Sequence, residues 1–287
     1  TEIYNYSFVD PATVKKMGEK TDLYIELDNP LSKEMPYARR HLLTNLMENI
    51  VKNIEFQKEL KLFEVGKTYL KDRPGVRAKE NSDELLPRQD TWLSLVCVEK
   101  KNAYWEARRT VEKIFHRISR GLSVKVGGGA VVPWMHPEKA GEVMSGGQAV
   151  GHIYEAHPSV LENFGINSAV AVVDLNLTKL AEIPKEEKHY KSIPLYPAVE
   201  RDLAFVIDEQ TSHENIKDGL LGADPLLVSV ELFDVFSGKN VGAGKKSMAY
   251  HLVYQNKERT LTSEEVDKVE KIIIKNLKDN FKAEIRK

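Results

Sequence analysis

The chain is nearly without cysteine. Cys97 is the single one among 287 residues, so no internal disulfide can form and a reducing, cytoplasmic setting is expected. It sits in the apolar run WLSLVCV and reads as a small buried core residue. Long apolar runs are missing too, since none approaches the roughly 20 residues a membrane-spanning helix needs. The first residues, TEIYNYSFVDPAT, lack the basic start and apolar stretch of a signal peptide, and read as a strand entered partway along a longer chain. Positive charge is not in excess: 42 Lys+Arg against 43 Asp+Glu leave a net charge of −1, which argues against a surface coated in basic charge for nonspecific nucleic-acid binding. The usual catalytic motifs are also absent, with no G-x-S-x-G, no H-E-x-x-H and no supported Cys/His pair. The histidines show no metal-ligand spacing, and His136 and His157 each precede a proline, in extended or turn geometry. The segment GAGKKS (Gly242 to Ser247) has the composition of a phosphate loop but not its spacing, and a strand rather than a helix follows it. The paired carboxylates Glu186-Glu187 and Glu264-Glu265 lie in solvated charge runs, the second at a helix start where the dipole favours them. No catalytic residue and no metal ligand is assigned.

What is present is an ordinary globular mixture, 41% hydrophobic and 30% charged, long enough for about two domains. Residues 2–9 and 22–28 alternate like half-buried strands, with a short helix possible from Pro11 to Lys16. Between Ala38 and Ile54, Leu42, Leu43, Leu46, Met47, Ile50, Val51 and Ile54 recur at spacings of three and four and predict a helix. A second helix is predicted from Ala103 to Ser119 on Trp105, Val111, Ile114, Phe115 and Ile118. Strands are expected at 60–70 and 91–99, an exposed hairpin loop at 71–90, a turn at Gly127 to Gly129, and a hairpin over 141–154 around Gly146-Gly147. Three prolines and a charge run in PKEEKHYKSIPLYP place a linker at 184–195, between a first domain at 1–183 and a second at 196–287.

The second domain reads strand, helix, strand, strand, helix, strand. Its strands fall at Asp202 to Ile207, Leu226 to Phe236, Ser247 to Tyr254 and Ala283 to Arg286, and its first helix at His213 to Leu221. Thr262 opens the long helix, Glu265 completes a capping box with it, and Val266, Val269, Ile272, Ile273 and Leu277 form its buried stripe. This is the ferredoxin-like βαββαβ order, a fold that by itself does not fix a function.

Seven segments in order resemble one family. YPAVERDLAFVI, SVELFDVFSGK, GAGKKSMAYHLVYQ and ERTLTSEEV resemble the C-terminal domain of the phenylalanyl-tRNA synthetase β subunit, and NPLSKEMPYARRHLLTNLMENI, LKLFEVGKTYL and AHPSVLENFGI are similar to segments of its core. The resemblance spans essentially the whole chain and implies an α+β fold: a class II synthetase-like antiparallel sheet with helices, followed by a ferredoxin-like anticodon-binding domain. It also implies that the first domain is a degenerate copy. Class II catalysis needs an arginine at the end of the second motif, where GKTYL places Leu70, and a glycine-rich strand with a further arginine where AVAVVDLNL stands. A leucine cannot stabilise a phosphoryl-transfer transition state. The family's N-terminal tRNA-binding and editing modules have no counterpart here, so editing is not expected of this chain.

By the same resemblance, the chain would bind the anticodon of the tRNA for phenylalanine and support a catalytic α subunit in an α2β2 heterotetramer, which forms aminoacyl-tRNA with ATP and magnesium. The chain itself would hold no cofactor, have no catalytic site and touch no membrane. Phe236 maps to the stacking aromatic, a common tyrosine in the family; Ser247 and Ala249 map to the neighbours of the base edge and share one strand parity. Lys239, Lys245 and Lys246 are candidate phosphate contacts. Each has an ordinary alternative: a strand aromatic, a strand start, a solvated loop. Arg201-Asp202 reads as a structural pair. Tyr190 to Lys287 carries 15 basic and 16 acidic residues, so any RNA contact there must be local. Two other readings stay open, a metabolite sensor with an apolar pocket between domains and a purely structural assembly module with an exposed apolar helix face.

Overall fold

The computed structural model of the chain describes residues 1–57, 59–80, 83–100, 103–118, 120–126, 132–185, 194–238 and 241–286, with Glu214 described in its backbone only. It divides into two compact units, Thr1–His189 and Tyr190–Lys287.

In the first unit, β1 (Phe8–Val9), α1 (Pro11–Lys16), β2 (Ile25–Glu26), β3 (Tyr37–Ala38) and α2 (Leu43–Asn53) lead into β4 (Leu60–Arg77) and β5 (Leu85–Glu99). Then come α3 (Ala103–Arg117), β6 (Ser123–Val126), β7 (Met135–Ser145), β8 (Gln148–Ala156), α4 (Pro158–Phe164), β9 (Ala169–Asn176) and α5 (Leu177–Glu182). Six strands form one antiparallel sheet in the order β4-β5-β9-β8-β7-β6. The central strand β9 is apolar on both pleat faces, and each face is covered by helix. Val170 and Val172 join Leu42, Leu46, Met47 and Ile50 of the α2 region and Val160 of α4, whereas Ala171, Val173 and Leu175 join Ala107, Val111 and Phe115 of α3. Cys97 lies buried in the α3 layer, as expected. Gly146 and Gly147, at φ 53° and 76°, form the two-residue turn joining β7 to β8, since a primed turn needs positive φ at both positions.

Several local expectations shift. Residues 2–9 and 22–28 are strand only at β1 and β2; Glu2 makes a single parallel bridge to Phe63, and Thr21–Leu23 is a 3-10 turn. The first long helix starts at Leu43 rather than Ala38, because Ala38 pairs with both Phe8 and Ile25 in a three-stranded sheet. Its stripe is narrower than the periodicity suggests: Val51 is exposed, as are Trp105 on α3 and Phe56 beyond α2. The segment 71–90 is mostly not loop. β4 and β5 continue as a two-stranded arm past the end of β9, with Pro74 opposite Pro87 at irregular register, where a missing N–H costs least. The turn expected at Gly127 to Gly129 lies outside the described residues, as does most of the 184–195 linker.

A buried ion pair ties the start of the chain to β4. Arg39 Nη1 donates to Glu64 Oε1 at 2.6 Å, Arg39 Nε to the Lys67 carbonyl at 3.0 Å, and Asn5 Nδ2 to Glu64 Oε2 at 2.8 Å.

The second unit comprises β10 (Val199–Asp208), α6 (His213–Leu221), β11 (Leu227–Phe236), β12 (Lys245–Tyr254), α7 (Ser263–Phe281) and β13 (Glu284–Ile285). The sheet order β11-β12-β10-β13, antiparallel throughout, is the ferredoxin-like arrangement read from the sequence. Ser212 caps α6 and Thr262 caps α7 in a full capping box with Glu265. Of the expected α7 stripe, Val266, Val269, Ile273 and Leu277 are buried and Ile272 is half exposed. Leu203, Phe205 and Ile207 of β10, with Met248, Tyr250 and Leu252 of β12, pack against Ile216 of α6 and the α7 stripe. No described helix is long and apolar enough to cross a membrane.

Candidate functional site

Strand parity sorts the second sheet into a helix-covered face and an open one. Across β11, β12 and β10, three rows run over the open face: Glu231–His251–Asp202, then Asp234–Ala249–Ala204, then Phe236–Ser247–Val206. The middle row puts two alanine methyls at the centre of the face, a floor low enough for a planar ring to approach.

Phe236 is 46% exposed at the end of β11. Gly238 packs against its ring, and a Cβ there would come within 3.0 Å of it. Ser247, directly across the ladder, is on the same face but only 8% exposed, and its hydroxyl receives a hydrogen bond from Arg286 Nη1 at 3.4 Å. Ala249 is half-buried in the floor. Lys245 shares this face and is ion-paired with Glu284 across the sheet edge. Lys246 points to the other side. It pairs with Ile207, and its Nζ donates to the Thr211 carbonyl at 2.6 Å, bracing the turn into α6. Lys239 lies outside the described residues. The structure therefore groups Phe236, Ser247, Ala249 and Lys245 on one face and separates Lys246 from them.

Sequence reading missed two members of this face. Phe233 is 48% exposed and stacks on His251 with ring centroids 3.9 Å apart at 16°, while His251 pairs with Asp202. Strict alternation from Phe236 assigns Phe233 to the buried face. A bulge between Leu232 and Asp234 inserts one extra residue and turns Phe233 outward. No residue type in LFDVF announces that bulge. The row of Phe236 and the row of His251 are four β12 residues apart, about 13 Å at the usual strand rise. Three carboxylates, Asp202, Glu231 and Asp234, share the face with these aromatics. An open sheet with two exposed rings, a shallow methyl floor and carboxylate acceptors suits unstacked planar bases whose edges donate hydrogen bonds.

In the first unit, Leu70 stands opposite Arg88 in the β4–β5 ladder, and the Arg88 guanidinium is held by Asp90 at 3.1 Å. Among the described residues, no group of three or more His, Cys, Asp or Glu side chains is placed to hold a metal ion.

Comparison with known proteins places each unit. The family described as phenylalanyl tRNA synthetase beta chain CLM domain matches residues 1–177, and the ferredoxin-fold anticodon binding domain family matches residues 194–286. The phenylalanine–tRNA ligase beta subunit of Clostridium acetobutylicum is 30% identical over 291 residues, covering 99% of this chain and 36% of that protein. The beta subunit of Fusobacterium nucleatum is 32% identical over 295 residues, covering 100% of this chain and 36% of that protein. This chain thus spans about a third of the length of these curated relatives. A pyrrolysyl tRNA synthetase structure from Desulfitobacterium hafniense overlaps 63% of this chain and 61% of that one, at a TM-score of 0.47 and 15% identity, too distant to bear on function.

Proposed function

The chain belongs to the phenylalanyl tRNA synthetase beta chain family and carries its ferredoxin-fold anticodon binding domain; from that premise we propose that the open face of the second unit reads the anticodon of the tRNA for phenylalanine. The observation that carries this reading is the pair of exposed rings, Phe236 and the His251-stacked Phe233, on one open sheet face either side of the Ala204–Ala249 floor. Phe236 stacks on the first anticodon base, at about 1–3 kcal/mol per stacked base. Phe233 offers a second platform to a base splayed away from the first. Asp234, beside the floor, accepts from base N–H groups and favours an edge rich in donors. Lys245 approaches the phosphates, and Lys239, outside the described residues, is a second candidate for such a contact. Lys246, turned toward α6, positions the turn at Thr211 instead.

The first unit acts as a noncatalytic class II-like core that supports a catalytic α subunit. Leu70 in place of a phosphate-binding arginine, and the tie of Arg88 to Asp90, support that role. The exposed apolar tip of the β4–β5 arm, with Val76 75% and Leu85 52% exposed, supplies a surface for the partner. In the cytoplasmic α2β2 assembly, ATP and magnesium are used by the α subunit and this chain contributes recognition.

The test is fluorescence anisotropy of a labelled phenylalanine anticodon stem-loop against the whole chain, with a changed first anticodon base as control. Binding that weakens with the base change and with Phe236→Ala supports an anticodon reader. Binding indifferent to both reduces the face to nonspecific electrostatics.

A further inference from the structure

We propose that a cavity in the first unit, on the α2 side of the six-stranded sheet, is a binding site for a small organic ammonium compound with an apolar body. The cavity measures about 210 Å³ and is lined by Arg40, His41, Trp92, Trp134, His152 and Asp174 among others. It lies beside a row of polar residues on an otherwise apolar sheet face. Glu64, Ser94, Asp174 and His152 stand directly opposite one another across β4, β5, β9 and β8. The adjacent row on the same face is Leu62, Val96, Val172 and Tyr154, all in the core. A polar row next to such a core needs its charges answered.

Most of them are. Glu64 is paired with Arg39 at 2.6 Å. Arg40 and His41, on another wall, both face Glu19, at 3.1 Å and 2.6 Å, and Tyr24 donates to the same carboxylate. Asp174 differs. It is 9% exposed, and its hydrogen bonds come from two hydroxyls, those of Ser94 and Tyr154. Among the described residues no cation pairs with it. Two hydroxyl protons leave about half of a carboxylate's acceptor sites unused and its charge unbalanced. The cavity beside it therefore offers a place for one positive charge.

The rest of the lining says what that cation is attached to. Trp92 and Trp134 both line the cavity, an indole ring attracts an ammonium group, and Trp134 is held by stacking on His41 at 4.2 Å. Leu42, Val132 and Met135 complete an apolar wall. A cavity of about 150 Å³ accepts benzene, so this one takes a benzene-sized ring with a short amine arm. Inorganic cations fit poorly, since among the described residues Asp174 is the one carboxylate on the wall.

The experiment titrates the whole chain with phenethylamine, 2-phenylethanol and 3-phenylpropanoate, which keep one ring and change only the charge, read by calorimetry and tryptophan fluorescence. The amine is expected to bind at least about tenfold more tightly than the other two. Asp174→Asn is expected to erase that preference, and Trp92→Leu to weaken the amine by a similar factor. Equal affinity for all three compounds, or no saturation by about 10 mM amine, overturns the proposal, as does an amine affinity that Asp174→Asn leaves unchanged. The charge series on the unaltered chain decides the matter even if a variant fails to fold.

Discussion

Two phenylalanines three positions apart in one strand share a face only because the first of them, Phe233, is the extra residue of a bulge. Phe233 and Phe236 are each about half exposed, so neither contributes much to the core and each leaves ring surface for a base, Phe233 on the side away from His251. Replacing either with alanine is expected to cost about 1–3 kcal/mol of anticodon stem-loop affinity, with a melting temperature close to that of the parent. Anisotropy titration beside thermal melts separates the two effects. A large loss of stability with Phe236→Ala would make the ring structural and remove it from the reading face. Glu265 makes a prediction in pH. Its carboxylate accepts from both Arg259 terminal nitrogens, at 2.8 Å and 2.5 Å, and from the Thr262 backbone N–H at 3.0 Å. The Arg259 bonds first, and then the cap, pull its pKa from the ordinary 4.5 down to about 2. The unfolded chain holds this proton more tightly than the folded one, so the contribution to stability is fully present above pH 4.5 and is lost as the pH falls from there toward 2. Melts across that window should show a decline that Glu265→Gln flattens. An unaltered slope in the variant would mean that other carboxylates govern acid sensitivity.

At the scale of elements, strong periodicity was enough to find α2, α3, α6 and α7, and the cap at Thr262 located the start of α7 to the residue. What escaped was decided by partners distant in sequence. Ala38 looks like the start of a helix until its pairing with Phe8 and Ile25 is known. Lys245 and Lys246 are adjacent in sequence, but strand parity sends one to the open face and the other beneath the sheet to Thr211. Phe233 was hidden by a bulge that breaks the parity on which the reading of β11 relied. The arm of β4 and β5 reads as loop in the sequence because Pro74, Gly75 and Pro87 punctuate it; two strands that outrun their neighbour tolerate such residues. This arm carries its own prediction. Val76 and Leu85 are exposed and lie beyond the part of β5 that β9 covers, so Val76→Lys with Leu85→Lys should leave the melting temperature within a few degrees. Association with the proposed α subunit, measured by sedimentation velocity of the co-expressed pair, should fall sharply. Retained assembly would shift the partner surface away from the arm.

At the scale of the whole molecule, charge limits how RNA can be held. The chain carries −1 overall, and residues 190–287 carry 15 basic against 16 acidic groups. The face proposed to read the anticodon is itself acidic, with Asp202, Glu231 and Asp234 on it and Lys245 already paired with Glu284. Binding there must come from stacking and edge recognition, with about two phosphate contacts at most. For single-stranded RNA each contact contributes about 0.7 to the slope of log affinity against log salt. Affinity for the anticodon stem-loop should then fall only about sevenfold between 50 and 200 mM salt. A basic-groove binder with seven contacts would lose about a thousandfold over the same range. The shallow slope, together with sensitivity to the first anticodon base, is what a stacking reader on an acidic sheet requires. A steep slope would instead place the RNA on the lysine-bearing surface of α7, around Lys268, Lys271, Lys275 and Lys278, and leave Phe233 and Phe236 without a role in binding.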